Sequence, residues 1–66
     1  MSNQAAKIHF LLSNNYSLQE IAKTVGVRKQ LLVDVLCGLV SLRSEKPRRF
    51  LDQMHSAAMK RKIKGD

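Results

Sequence analysis

Ser17 to Gly38 reads SLQEIAKTVGVRKQLLVDVLCG, with small and apolar residues at spacings that two short helices joined by a tight turn require. Ser17 is followed three residues later by Glu20, the pattern of a capping box. In that motif the serine oxygen and the glutamate carboxylate each accept a hydrogen bond from an amide that the start of a helix leaves unpaired. A helix from Leu18 to about Thr24 follows, with Leu18, Ile21, Ala22 and Val25 on its inner face. Gly26 should stop it, because a residue without Cβ takes positive φ at little cost. A further helix from about Arg28 to Cys37 would turn Leu32, Val35, Leu36 and Leu39 inward and Lys29, Gln30, Val33, Asp34 and Cys37 outward. Two short helices that cross steeply through a tight turn need a small side chain where their backbones approach and a glycine where the chain reverses. Ala22 and Gly26 supply these, so the segment predicts a helix-turn-helix unit at about 17–38, with its second helix presented outward.

Before this unit, Ala5, Ile8, Leu11 and Leu12 recur at helical spacing and predict a helix over 3–13, with Phe10 off that stripe and the turn-prone SNNY behind it. After the basic turn LRSEKPRR a last helix is expected over about 45–62, capped by Ser44, with Pro47 in its first turn and IKGD fraying beyond. Phe50, Leu51, Met54, Ala57 and Ala58 would share one face of it, opposite Arg49, Gln53, Ser56 and Lys60. No alternating strand pattern, internal repeat or long linker interrupts this order. The expectation is an all-α domain, 1–66, of about four helices.

Sixty-six residues, 44% of them hydrophobic and only three aromatic, make a thin core. A chain of this size buries about 60% of its unfolded surface and commonly gains stability by oligomerising. The face of the last helix therefore has two readings: it covers the core, or, as Phe50, Leu51, Met54 and Ala58 together with Phe10, it forms a homodimer interface.

Twelve Lys and Arg against five Asp and Glu give a net charge of +7 and a pI near 10.2. Residues 1–27 hold Lys7 and Lys23 against Glu20, net +1; residues 28–66 hold ten bases against four acids, net +6. Such a field suits an anionic partner, nucleic acid first. Cys37 is the only cysteine, so no disulfide framework is available, and a reducing, cytoplasmic setting is expected. Neither an export signal nor a membrane span is expected, since LLVDVLCGLV is short and interrupted by Asp34. His9, His55 and Cys37 lack paired metal-ligand spacing, and no nucleophile and base can be paired, so no metal, cofactor or enzymatic activity is expected.

The run EIAKTVGV followed by RKQLLVDVLCG resembles the helix-turn-helix of bacterial and phage transcriptional regulators such as repressors of the lactose-repressor family. Their usual form is an Ile/Val-Ala pair, then Gly-Val, then a helix ending Val-Leu-x-Gly. The resemblance covers about a third of the chain and implies double-stranded DNA as partner, with residues 28–37 in the major groove. This chain departs from the pattern in opening its recognition helix with RKQLL, and in placing Val33 and Asp34 where Ser-Arg is frequent.

On that reading Arg28 and Lys29, at the start of the helix, meet phosphates. Gln30 can donate and accept together at adenine, and Val33 can touch a thymine methyl. Asp34 is repelled by phosphates and needs a cytosine amino group, a basic neighbour or open water. Arg43, Lys46, Arg48 and Arg49 either contact phosphates or flank a protein interface. The alternative function is a protein-interaction module that keeps the fold and binds a repressor, polymerase or other regulator. RNA binding lacks an exposed aromatic platform to recommend it.

Overall fold

Four helices follow one another in the computed structural model, α1 (Asn3–Ser13), α2 (Leu18–Val25), α3 (Lys29–Leu36) and α4 (Glu45–Lys64), with no strand among the described residues. Residues 3–64 are described, and the side chains of 3–61. The all-α expectation holds, and α1 has the bounds its apolar spacing predicts. Its end is built by the asparagines. Asn14 Nδ2 donates to Phe10 O at 2.7 Å, and Asn15 takes the left-handed conformation at φ 73°, which Asn tolerates better than most residues. The reversal lets Tyr16 N–H reach Leu11 O at 3.1 Å.

The capping box at the start of α2 is complete. Glu20 N–H donates to Ser17 Oγ and Ser17 N–H donates to Glu20 Oε1, both at 3.0 Å. At its end Gly26 adopts φ 84°, and the amides of Gly26 and Val27 both reach Ala22 O, at 2.8 and 3.0 Å. Arg28 and Cys37 flank α3 as its caps instead of forming its first and last residues.

Leu39 departs from its expected place. Gly38 takes φ 80° and closes α3 by a Schellman arrangement, Gly38 N–H to Val35 O at 3.1 Å and Leu39 N–H to Asp34 O at 2.9 Å. That left-handed residue breaks the helical period, so Leu39 leaves the core stripe and is 73% exposed, while Leu42 takes the buried place. α4 runs to Lys64, past the expected end at Lys62, and of the fraying tail Gly65 and Asp66 lie outside the described residues.

α1 and α2 each pack against both α3 and α4, whose backbones do not meet one another among the described residues. Ile8 and Leu11 of α1, Ile21 of α2, and Leu32 and Val35 of α3 are wholly enclosed. From the other side Leu51 and Ala58 of α4 enter the same core at 1% and 4% exposure. These two, read from sequence as candidate dimerisation residues, are thus withdrawn from any surface. Phe10 also packs against the core, and its ring meets His55 edge-on with centroids 5.1 Å apart. Phe50 and Met54 keep partial exposure.

α1 and α4 run parallel, as their pairings show: Lys7 with Asp52, then Phe10 with His55. Parallel packing obliges the chain after α3 to return to the start of α1. Gln4 anchors that return, since its Nε2 donates to Leu42 O at 3.0 Å and its Oε1 accepts from Leu42 N–H at 2.7 Å. One side chain thereby satisfies both backbone groups of a connector residue that no helix can satisfy. No helix among the described residues is long and apolar enough to cross a membrane.

Gln4→Ala leaves the part-buried N–H and C=O of Leu42 without these partners, a loss of about 1–3 kcal/mol. In a domain of this size each kcal/mol lowers Tm by about 4–8 °C. Thermal unfolding followed by circular dichroism checks the expected fall.

Candidate nucleic-acid interface

The surface that α3 presents is decided by two side chains that point the other way. Leu32 and Val35, fully enclosed, fix the rotation of the helix about its axis. The opposite side then carries Lys29 and Gln30, both exposed, with Val33 and Asp34 half-buried along its edges. Arg28 stands ahead of them in extended conformation, φ −73° and ψ 146°, exposed and making no side-chain cap to the helix. The first turn of α3 contains no acid. Two cations therefore lie beside backbone amides that a helix start leaves without intrahelical partners, an arrangement that suits a phosphate oxygen. Cys37 is an exposed free thiol at the far end, about 12 Å along an eight-residue helix.

Asp34 finds its partner on its own helix. Gln30 Nε2 donates to Asp34 Oδ1 at 3.1 Å, one turn along the same exposed side. The identity of the facing atom is settled by chemistry: a carboxylate only accepts, so the amide nitrogen and not its oxygen must lie toward it. Gln30 keeps its second N–H and its carbonyl oxygen for other partners. The (i, i+4) spacing is visible in the sequence, yet whether the two side chains meet depends on both staying at the surface.

The remaining expected contacts are not gathered on this side. Arg43, Lys46, Arg48 and Arg49 are all exposed, but Lys46, Arg48 and Arg49 belong to α4, whose backbone does not meet that of α3. Arg49 also pairs with Glu45 at 3.0 Å across one turn, with both side chains mostly in solvent. Such pairs contribute about 0.3–0.5 kcal/mol, so phosphate can readily displace this one. In the basic half of the sequence Arg28 and Lys29 thus stand at the start of α3, Arg43, Lys46, Arg48 and Arg49 on the connector and the first turns of α4, and Lys60 and Arg61 near the other end of α4.

A second feature escaped the sequence entirely. Asn14, Asn15, Tyr16, Glu20, Ala58 and Arg61 line an open cleft of about 480 Å³ where the turn after α1 meets α4. Most of its polar groups already have work: Asn14 closes α1, Glu20 caps α2, and Arg61 Nη1 donates to the Tyr16 hydroxyl at 3.4 Å. Residues 45 apart in sequence meet there through helix packing, which local spacing does not encode. Among the described residues no three His, Cys, Asp or Glu side chains come together to hold a metal ion.

The angle between α2 and α3, and so the direction in which Arg28, Lys29 and Gln30 face, depends on the turn at Gly26. A Cβ built there meets nothing within 4 Å, so the cost of Gly26→Ala comes from φ 84° alone. We expect a loss of about 1–2 kcal/mol in denaturant unfolding, with no change in m-value.

Compared with protein-family models, with curated proteins and with solved structures, the chain matches none.

Proposed function

We propose that this chain is a sequence-specific DNA-binding transcriptional regulator of bacterial or phage type, cytoplasmic, not an enzyme, and acting as a homodimer. The observation that carries the reading is the start of α3, where Arg28, Lys29 and Gln30 stand exposed at a helix end with no side-chain cap and no acid in its first turn. In this mechanism α3 enters the major groove by its N-terminal part. Arg28 and Lys29 neutralise phosphates on either side, and Gln30 reaches a base edge. Val33, beside them, meets a thymine methyl. Occupancy of the site then excludes or recruits the transcription machinery.

The group on the connector and α4 enters differently. Since the backbone of α4 does not meet that of α3, Lys46, Arg48 and Arg49 serve chiefly as field, with Arg43 of the connector beside them in sequence, raising encounter rates with duplex DNA and holding flanking backbone. A single unit reads few base pairs, and such regulators double it across half-sites about 34–36 Å apart. With Leu51 and Ala58 enclosed, the apolar side chains that keep exposure for self-association include Phe50, Met54 and Met59 of α4, Leu39 and Val40 of the connector, and half-buried Phe10 of α1.

Those connector residues also favour a second reading. Leu39 at 73% and Val40 at 41% exposure lie in the uncharged run Cys37 to Leu42, an apolar surface that a protein-interaction module would use on a repressor or polymerase. Titration against a random duplex pool and an enriched one separates the two. Equal, weak affinity for both pools rejects sequence-specific DNA binding.

The electrostatic contribution is measurable. The slope of log K against log salt should flatten by about 0.9 for each phosphate that the protein no longer neutralises. Arg28→Ala and Lys29→Ala together should flatten it by about twice that, and an unchanged slope removes both residues from the interface.

Assembly is checked by sedimentation equilibrium. Phe50→Ala removes a ring that is already 41% exposed, so it should weaken association and DNA affinity together while lowering Tm little. A parent protein that stays monomeric at high concentration contradicts the dimer.

A further inference from the structure

Asp34 places a negative charge on the side of α3 that the proposed function turns toward an anion, and the contact it makes gives that charge a purpose. Gln30 Nε2 lies 3.1 Å from Asp34 Oδ1. An exposed glutamine amide can ordinarily turn over, exchanging its nitrogen and oxygen, and so can offer its donor and acceptor in either order. Against a carboxylate one order is excluded, because oxygen facing oxygen has no proton between them. The pair therefore holds the amide in one sense, with Oε1 on the side away from Asp34 and the second N–H beside it.

The major-groove edges of the purines differ in the property this controls. Adenine offers an acceptor at N7 and a donor at N6, which match one N–H and one C=O side by side. Guanine offers acceptors at both N7 and O6, which a free amide can serve together only by turning both of its N–H groups toward them; with one N–H engaged by Asp34, one acceptor is left facing the Gln30 oxygen without a proton. The Asp34 carboxylate adds a further acceptor-only group near the same edge, where an amino-bearing base is welcome and a carbonyl-bearing one is repelled. Lys29, the nearest cation in sequence on this side, is exposed and has no acid one turn along the helix to neutralise it, since residue 33 is Val. It remains for phosphate.

We propose that Asp34 is a specificity-determining positioning residue: by engaging one N–H of the Gln30 amide, and so leaving one donor beside one acceptor for the base, it makes α3 select adenine over guanine in the major groove. This rests on the DNA-binding reading above. The carboxylate weakens attraction to any duplex and in exchange sharpens choice among duplexes, which explains an acid at this place better than helix stability does. An (i, i+4) Gln and Asp pair stabilises a helix only slightly, and an asparagine at position 34 would serve that purpose nearly as well.

Asp34→Asn is the discriminating variant, because asparagine keeps the size and can still bond to Gln30 but accepts the amide in either sense. Parent, Asp34→Asn, Gln30→Ala and the double variant are titrated at one salt concentration against enriched duplexes that carry adenine or guanine at the position sensitive to Gln30. We expect Asp34→Asn to retain its helical circular dichroism, to bind random duplex more tightly, and to lose on the order of tenfold in the adenine-to-guanine ratio. Gln30→Ala should abolish the preference at that position, and the double variant should be no less selective than Gln30→Ala alone. An unchanged ratio in Asp34→Asn, with the ratio collapsed in Gln30→Ala, overturns the role of Asp34 and leaves the DNA reading standing. A parent that prefers no sequence overturns the DNA reading, and this assignment with it.

Discussion

The turn at Gly26 sets the angle at which α3 leaves α2, and most of the molecule is arranged around that angle. Ala22 O accepts from the amides of both Gly26 and Val27, a closure that needs the left-handed φ of 84°. With the backbone held in this way, Leu32 and Val35 can be driven into the cluster formed by Ile8, Leu11 and Ile21 only if Arg28, Lys29 and Gln30 stay outside. Burial and presentation are therefore one event. Each fully enclosed aliphatic side chain contributes roughly 1.5–3 kcal/mol, and that free energy also fixes which residues of α3 face outward.

A thin core imposes economy on the rest. Two glycines in left-handed conformation end α2 and α3, an asparagine in the same conformation follows α1, and each lets a short helix stop where the next must begin. The connector after α3 has no helix to satisfy its backbone, so Gln4 does so from α1. α4, the longest helix, runs parallel to α1 and covers the side of the α1 and α2 layer that α3 leaves open. Its face is used inward at Leu51 and Ala58 and only partly outward at Phe50 and Met54.

Electrostatically the chain is basic throughout its second half, but folding divides that charge. Arg28 and Lys29 lie on a helix start, while Arg43 lies on the connector and Lys46, Arg48 and Arg49 on α4, whose backbone does not meet that of α3. A long-range field adds such groups together, whereas short contacts to one stretch of backbone do not, since screening limits each to about 8–10 Å in ordinary salt. In the proposed mechanism the α3 group accordingly makes contact and the α4 group steers. Beside the first group Asp34 accepts from Gln30 on the exposed side of the helix, and in that mechanism it acts as a constraint on the neighbouring amide.

Local physical chemistry was legible in the sequence wherever it acts over four or five residues. The Ser17 and Glu20 capping box, the stop at Gly26, the apolar stripe of α1 and the inward places of Ile21, Leu32 and Val35 follow from hydrogen-bond reach and the 3.6-residue period, and tertiary packing left them intact. Leu39 was misread because its place on the α3 stripe holds only while the helix continues, and Gly38 ends it. The contacts beyond the reach of local spacing join residues far apart in sequence: Gln4 with Leu42, Lys7 with Asp52, Phe10 with His55 and Tyr16 with Arg61. These depend on α1 and α4 lying parallel, and that direction is set by how the whole chain closes on one small core. A periodic pattern says which side of a helix is buried; it carries no record of what will be buried against it.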